Sequence, residues 1–330
     1  MEPYSSAGMY RFQKNHALLK KAQSKHLVAF LGDSRMLEGF SVKNFCNAAA
    51  NTPYAPVLLD VPGTTLRVWY YLLKQVDPDH HAFEEIAVPL VSYSNVDEWE
   101  DLNERILDVN FLAPHLSLAE SMDLLNTYTD RDIKIRVMLG NVLRGYAYRS
   151  DLQGFLLHPK RRFQDLRHWK REDEHIVYDY EGRPTSLVGL LDQGGALTKG
   201  SSDISDIALE RLNHRVFNRL PPQTGRQKRY NDYWLNRLVD DYSKAGTKLV
   251  IFRIPTDPVV RKIAIPNECS TTTRLSHQKN IFVLPQNLFR DLEAPQYFSD
   301  DMHMNGVGRT KFTDRLTSAV LGTLDCRHQQ

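Results

Sequence analysis

The sequence predicts an α/β protein: one parallel sheet of about five strands with helices on both faces, broken by a long insertion. Three observations carry this. Short apolar runs alternate with helix-length amphipathic segments between residues 26 and 97, the pattern of a parallel sheet. The same alternation resumes after residue 229. The chain has 330 residues, 42% hydrophobic and 25% charged, enough for a large core without disulfide or metal staples.

In order, residues 12–25 read as a polar lead-in helix. His26 to Leu31, HLVAFL, is a buried strand ending at Gly32. Residues 41–51 read as a helix. Ala55 to Val61, APVLLDV, is a second strand closed by Pro62-Gly63. Residues 64–76 are a helix with Leu66, Trp69, Tyr70 and Leu73 at helical spacing. Residues 83–93, FEEIAVPLVSY, make a third strand. Residues 98–228 form the insertion or cap: helix-like and amphipathic to 150, then rich in charge, glycine and turn signals. Residues 231–245 are an amphipathic helix stopped by Gly246, since glycine tolerates the left-handed conformation that ends helices. Lys248 to Ile254, KLVIFRI, is a fourth strand ended by Pro255, and Asn280 to Leu284 is a fifth. Residues 311–321 are the closing helix. The expected organisation is a lead-in (1–25), an α/β domain (26–97 with 229–330) and the insertion (98–228).

Composition excludes several functions. Lys and Arg number 42 against 40 Asp and Glu, for a net charge of +2; a dedicated nucleic-acid binder carries a clear basic excess. The basic cluster Lys160, Arg161, Arg162, Arg167, Lys170 and Arg171 is balanced by Asp165, Glu172, Asp173 and Glu174 and reads as a solvated face. Cys46, Cys269 and Cys326 form no CxxC pair, and His80-His81 has no third ligand at metal spacing. No apolar run reaches the roughly 18 residues of a membrane span. Met1 to Lys25 has no apolar core of a secretory signal. The chain alone reads as a soluble protein, with no cofactor or metal expected.

The chemistry-bearing feature is Gly32-Asp33-Ser34 directly after the first strand. That turn lies at the carboxyl edge of the sheet, where open α/β sheets place ligands. A serine is a weak nucleophile without a base. Asp300-Asp301-Met302-His303 stands between the last strand and the last helix, on the same edge. His303 there can take the Ser34 proton, and an aspartate three residues upstream can hold the imidazole tautomer. Asp301 competes with Asp300 for that role. Ser34 has a plainer reading as a helix cap.

Gly-Asp-Ser after the first strand, with Asp-x-x-His before the last helix, resembles the SGNH (GDSL-type) hydrolase superfamily. The resemblance implies a flavodoxin-like three-layer sandwich, Ser34 as nucleophile, and Asp300 and His303 as its partners. It implies an oxyanion hole from the Ser34 N–H, the Gly63 N–H after the second strand, and Asn95. The family's fourth block is usually Gly-x-Asn-Asp; here Ser92-Tyr93-Ser94-Asn95 stands in that place. Gly63 also reads as a turn glycine and Asn95 as a turn or cap residue. FLGDSR, the Val-Pro-Gly turn, Arg-Ile-Pro after the fourth strand and DMHMNGVGRTKF look like the SGNH-like proteins of cell-envelope polysaccharide O-acylation, the alginate O-acetyltransferase-like and D-alanine transfer protein-like groups. The match covers residues 27–95 and 230–321.

What the resemblance implies is a serine esterase or O-acyltransferase acting on an acylated carbohydrate or envelope polymer. It also implies an acyl donor, a membrane acyltransferase partner and a bacterial envelope or periplasmic setting. Arg35 and Arg253, beside the carboxyl edge, are candidates to bind an anionic sugar or the donor; the alternative for each is a salt bridge. The competing expectation for the whole chain is a non-catalytic SGNH-like module that binds a glycan or an assembly partner.

Overall fold

A computed structural model describes residues 6–23, 26–90, 102–143, 146, 148–164, 180–184, 186–190, 225–255, 274–300 and 302–325. Five strands form one sheet: β1 (Leu27–Gly32), β2 (Ala55–Asp60), β3 (Phe83–Leu90), β4 (Lys248–Arg253) and β5 (Ile281–Val283). Their order is β2-β1-β3-β4-β5, and every neighbouring pair is parallel. The central strands are buried on both faces, which is why each is a near-continuous apolar run. In the ladder Gly32 stands opposite Asp60, and Leu90 opposite Arg253. This is the flavodoxin-like order. It puts the topological switch between β1 and β3, with a crevice outside their carboxyl ends.

Helices complete a three-layer sandwich. In chain order they are α1 (Ser6–Gln23), α2 (Ser34–Gly39), α3 (Val42–Ala48), α4 (Leu66–Val76), α5 (Ile106–Leu112), α6 (Leu118–Asn126), α7 (Arg131–Val142), α8 (Arg149–Leu157), α9 (Gly225–Tyr242) and α10 (Gly306–Asp325). Helix α10 packs on α2 and α3, while α4 packs on α1, α5 and α9. Phe30 of β1 stacks on Phe40 at 4.1 Å between ring centres and meets Phe45 edge-on at 5.3 Å. On the α4 side Trp69, Tyr71 and Trp234 are buried. Each such side chain contributes about 1.5–3 kcal/mol by leaving water.

The observed elements differ from the expected ones in several places, among them α9, which begins at Gly225 rather than at 231. Helix α1 begins at Ser6, and packs on β2, α4 and α5 as part of the α/β body. A six-residue helix, α2, precedes α3; it is too short to show periodicity. Helix α10 begins at Gly306, because the Asn305 side chain accepts from the Gly308 N–H at 3.0 Å and caps it. Gly308 is there because a Cβ would strike the Tyr297 carbonyl. Gly246 ends the α9 segment with φ +83°, as the sequence indicates. Segment 102–142 is helical and adds α5 to the layer that holds α4. Residues 91–100, 165–179 and 191–224 lie outside the described residues, and with them Asn95 and the basic cluster beyond Arg162. Among the described residues no helix is long and apolar enough to cross a membrane.

Candidate active site

Gly32 closes β1, and any side chain there would overlap Met36 on the first turn of α2. The glycine allows the helix to start immediately after the strand. Asp33 is the N-cap of that helix, its carboxylate accepting the Arg35 N–H at 2.9 Å. Ser34 is therefore not the cap, and its hydroxyl is available for another partner.

That partner is His303. Its Nε2 lies 2.9 Å from Ser34 Oγ. Its Nδ1 lies 2.8 Å from Asp300 Oδ2 and 3.0 Å from Oδ1. Asp300 is fixed from its own loop, since Oδ1 accepts the Met302 N–H at 2.9 Å and the His303 N–H at 2.7 Å. Burial alone raises a carboxyl pKa. Here the hydrogen bond and charge of His303, with the two backbone N–H groups, outweigh it and hold Asp300 down to about 2. Asp300 is ionised at neutral pH and an acceptor for Nδ1–H, which leaves Nε2 free to accept the serine proton. The hairpin carrying His303 is closed by its own carbonyl, which accepts from the Ser299 N–H at 2.9 Å. Asp301 lies outside the described residues.

Gly63 sits at the same edge: Gly32 and Asp60 face each other in the ladder, and the turn follows at once. It has φ +72°, with open space where a Cβ would stand, so its conformation rather than crowding calls for glycine. Among the described residues neither the Ser34 N–H nor the Gly63 N–H donates to a protein acceptor. Backbone amides at this edge that make no bond to another described residue are the kind of donors an oxyanion needs.

The turn is held from outside the sheet. Arg105 Nη1 donates to the Gly63 carbonyl at 2.8 Å and to Asp108 at 2.9 Å. Buried Asp108 also takes Thr65 Oγ1 at 2.9 Å and Arg67 at 3.3 Å, and the Arg67 guanidinium lies 4.2 Å over the Tyr128 ring. On the other side Arg183 Nη1 pairs with Asp300 Oδ2 at 2.6 Å, and its Nε meets Glu38 at 3.3 Å. Tyr180 donates to the same glutamate at 2.5 Å.

Arg35 and Arg253 both have carboxylate partners. Arg35 makes a forked pair with Asp33, with 2.5 Å between Nη2 and Oδ2, and is 9% exposed. That pairing outweighs burial and keeps the Asp33 carboxyl below its usual range. Arg253 pairs with the buried Glu293. The salt-bridge alternative thus describes both, in a more buried form than a surface pair. Asp60, at the end of β2, has a different fate: burial pushes its carboxyl up to about 8 despite a bond from Gln13 at 2.8 Å. Among the described residues no three His, Cys, Asp or Glu side chains group to hold a metal.

Glu38, Arg105, Tyr180 and Arg183 were not singled out by sequence. Glu38 carried a signal, because on a helix starting at Ser34 it stands one turn along on the same face. The others come from distant segments and carried none. No family model and no curated protein matches this chain.

Proposed function

We propose that the protein is a serine-dependent esterase or O-acyltransferase that works through an acyl-serine intermediate on an acylated carbohydrate or cell-envelope polymer. The observation that carries the reading is the unbroken chain Ser34 Oγ–His303 Nε2–His303 Nδ1–Asp300, at 2.9 and 2.8 Å. His303 takes the Ser34 proton as Oγ bonds to the ester or thioester carbonyl carbon. The oxyanion forms beside the Ser34 and Gly63 N–H groups, with Asn95 a further donor on the family resemblance. The tetrahedral intermediate collapses, the acyl–leaving-group bond breaks, and His303 delivers its proton to the departing oxygen or sulfur. Water or a sugar hydroxyl then gives His303 its proton, attacks the acyl-serine and takes the acyl group, and the serine regains its proton. Water makes the enzyme an esterase; a sugar hydroxyl makes it a transferase. The carbohydrate, the acyl donor and a membrane acyltransferase partner rest on the resemblance to the envelope O-acylation proteins.

The test is labelling with a serine-reactive fluorophosphonate, comparing wild type with Ser34→Ala and His303→Ala. The expected result is one adduct on the Ser34 peptide, absent in both variants. A folded wild type that takes no label refutes the reading and favours a binding module.

A further inference from the structure

We propose that Arg183, carried by a segment of the insertion that crosses the site, is a positioning residue for this reaction: it holds the Asp300 carboxylate and ties it to Glu38 on the helix that starts at Ser34. The inference rests on the acyl-serine reading above and adds to it a residue from outside the two halves of the sheet.

The backbone that delivers Arg183 is built into the fold. Gly182 has φ +86°, and a Cβ there would stand 3.1 Å from the Gly306 Cα and 3.2 Å from its nitrogen. Only glycine allows the segment to lie this close to the start of α10. The Arg183 carbonyl accepts the Gly306 N–H at 2.9 Å, Arg183 bridges Asn305 in parallel, and the Leu187 N–H donates to the Phe298 carbonyl at 3.0 Å. Both ends of the hairpin that carries His303 are thereby stitched to Arg183 and Leu187.

From this fixed backbone the side chain reaches one carboxylate on each side. Nη1 meets Asp300 on the histidine hairpin, and Nε meets Glu38 on α2. Glu38 is itself held by Tyr180, whose ring lies 4.9 Å from the Arg309 guanidinium. Arg309 in turn donates to the Leu37 carbonyl at the end of α2. The planar fork of arginine suits two carboxylates at once; a lysine offers one point charge.

The electrostatic consequence has a definite sign. Among the described residues, the charged and titratable groups on this side of the sheet include Asp300 on the His303 loop, the Asp33–Arg35 pair from the β1–α2 turn, and Arg183 with Glu38 and Tyr180. Arg183 shares the negative charge of Asp300. Without it, the full charge of Asp300 faces the His303 ring at Nδ1.

The experiment follows the second-order rate of fluorophosphonate labelling of Ser34 from about pH 5 to 9, where a histidine base titrates, in wild type, Arg183→Gln and Arg183→Lys. In Arg183→Gln the acid limb of the labelling profile moves to higher pH and the plateau falls about tenfold, as for loss of a charge-assisted contact that is partly exposed. Arg183→Lys keeps the limb in place and loses part of the plateau, which supports the role even where Arg183→Gln does not fold. Three results overturn it: an Arg183→Gln profile that matches wild type; a rate loss equal at every pH with the acid limb unmoved, the sign of a strut only; or an unchanged plateau in Arg183→Lys. A wild type that takes no label is a different failure, since it removes the acyl-serine reading itself and the role with it.

Discussion

Replacing Asp300 by asparagine separates its charge from its shape. The amide oxygen can still accept the Met302 and His303 N–H groups, at 2.9 and 2.7 Å in the wild type. That leaves the NH2 group where Oδ2 stood, facing His303 Nδ1 at 2.8 Å and Arg183 Nη1 at 2.6 Å. Two donors then meet a third. The imidazole escapes by moving its proton to Nε2, which makes Nε2 a donor toward Ser34 and removes the base. Turning the amide over sets its NH2 against two backbone N–H groups instead. The expected loss in labelling or esterase rate is about 10³–10⁴-fold. The cost in stability is far smaller. The Asp300 carboxyl falls from 3.8 to about 2 on folding, which at about 1.4 kcal/mol per pH unit is worth roughly 2 kcal/mol. A carboxyl with a lowered folded pKa contributes fully above its unfolded value and loses that contribution as pH falls through the folded one. The wild type therefore loses this increment between about pH 4 and pH 2, and Asp300→Asn lacks it throughout. The assay is labelling rate at neutral pH beside urea unfolding at neutral and acid pH. A folded variant that loses less than about tenfold in rate refutes the assignment of Asp300 as the orienting acid.

Three further perturbations test the scaffold. Gly32→Ala drives a methyl into Met36; it destabilises by about 1–3 kcal/mol in denaturant unfolding, and a neutral result contradicts the tight β1–α2 turn. Asp60 stays neutral in the folded protein up to about pH 8 but ionises near 3.8 when unfolded, so it costs stability progressively as pH rises across that window and nothing below it. Asp60→Asn accordingly raises stability at pH 7 by on the order of 2 kcal/mol or more, with the gain vanishing near pH 4; equal stabilities of variant and wild type at pH 7 count against it. Arg105→Met frees the Gly63 carbonyl and leaves the buried Asp108 to Arg67 and Thr65. It costs about 1–3 kcal/mol in chemical denaturation and slows labelling of Ser34; unchanged values in both show the turn to be held by its own backbone.

Much of the fold was legible because parallel strands buried on both faces are written as apolar runs. HLVAFL and KLVIFR need no partner to be recognised. Ser34, Asp300 and His303 were legible for a related reason. Each sits within a few residues of a strand or helix end, and the topology alone brings those ends to one edge. Helix α2 was not, being six residues long with no room for a periodic pattern. Arg183 and Arg105 were not legible either: they reach Asp300 and Gly63 across 117 and 42 residues of sequence. No local spacing encodes such contacts. The pairing of Arg35 is local by contrast: Asp33, two residues earlier, takes the guanidinium from within the same turn.

The two arginines brace opposite flanks of the site by different physics. Arg105, Arg67 and Asp108 form an almost fully buried charge cluster. Such clusters add little net stability, since desolvation consumes most of the Coulomb gain, and apolar residues of like volume often do as well. What an apolar replacement cannot do is hold a carbonyl oxygen. The cluster's distinctive product is the direction of the Gly63 carbonyl, and with it the setting of that turn. Arg183 is 42% exposed and works where water competes, so its hold on Asp300 is weaker, but its charge lies beside the carboxylate that meets His303 Nδ1. On the reading proposed above, one flank sets the turn that would receive an oxyanion. On the same reading, the other holds the carboxylate that meets His303 Nδ1.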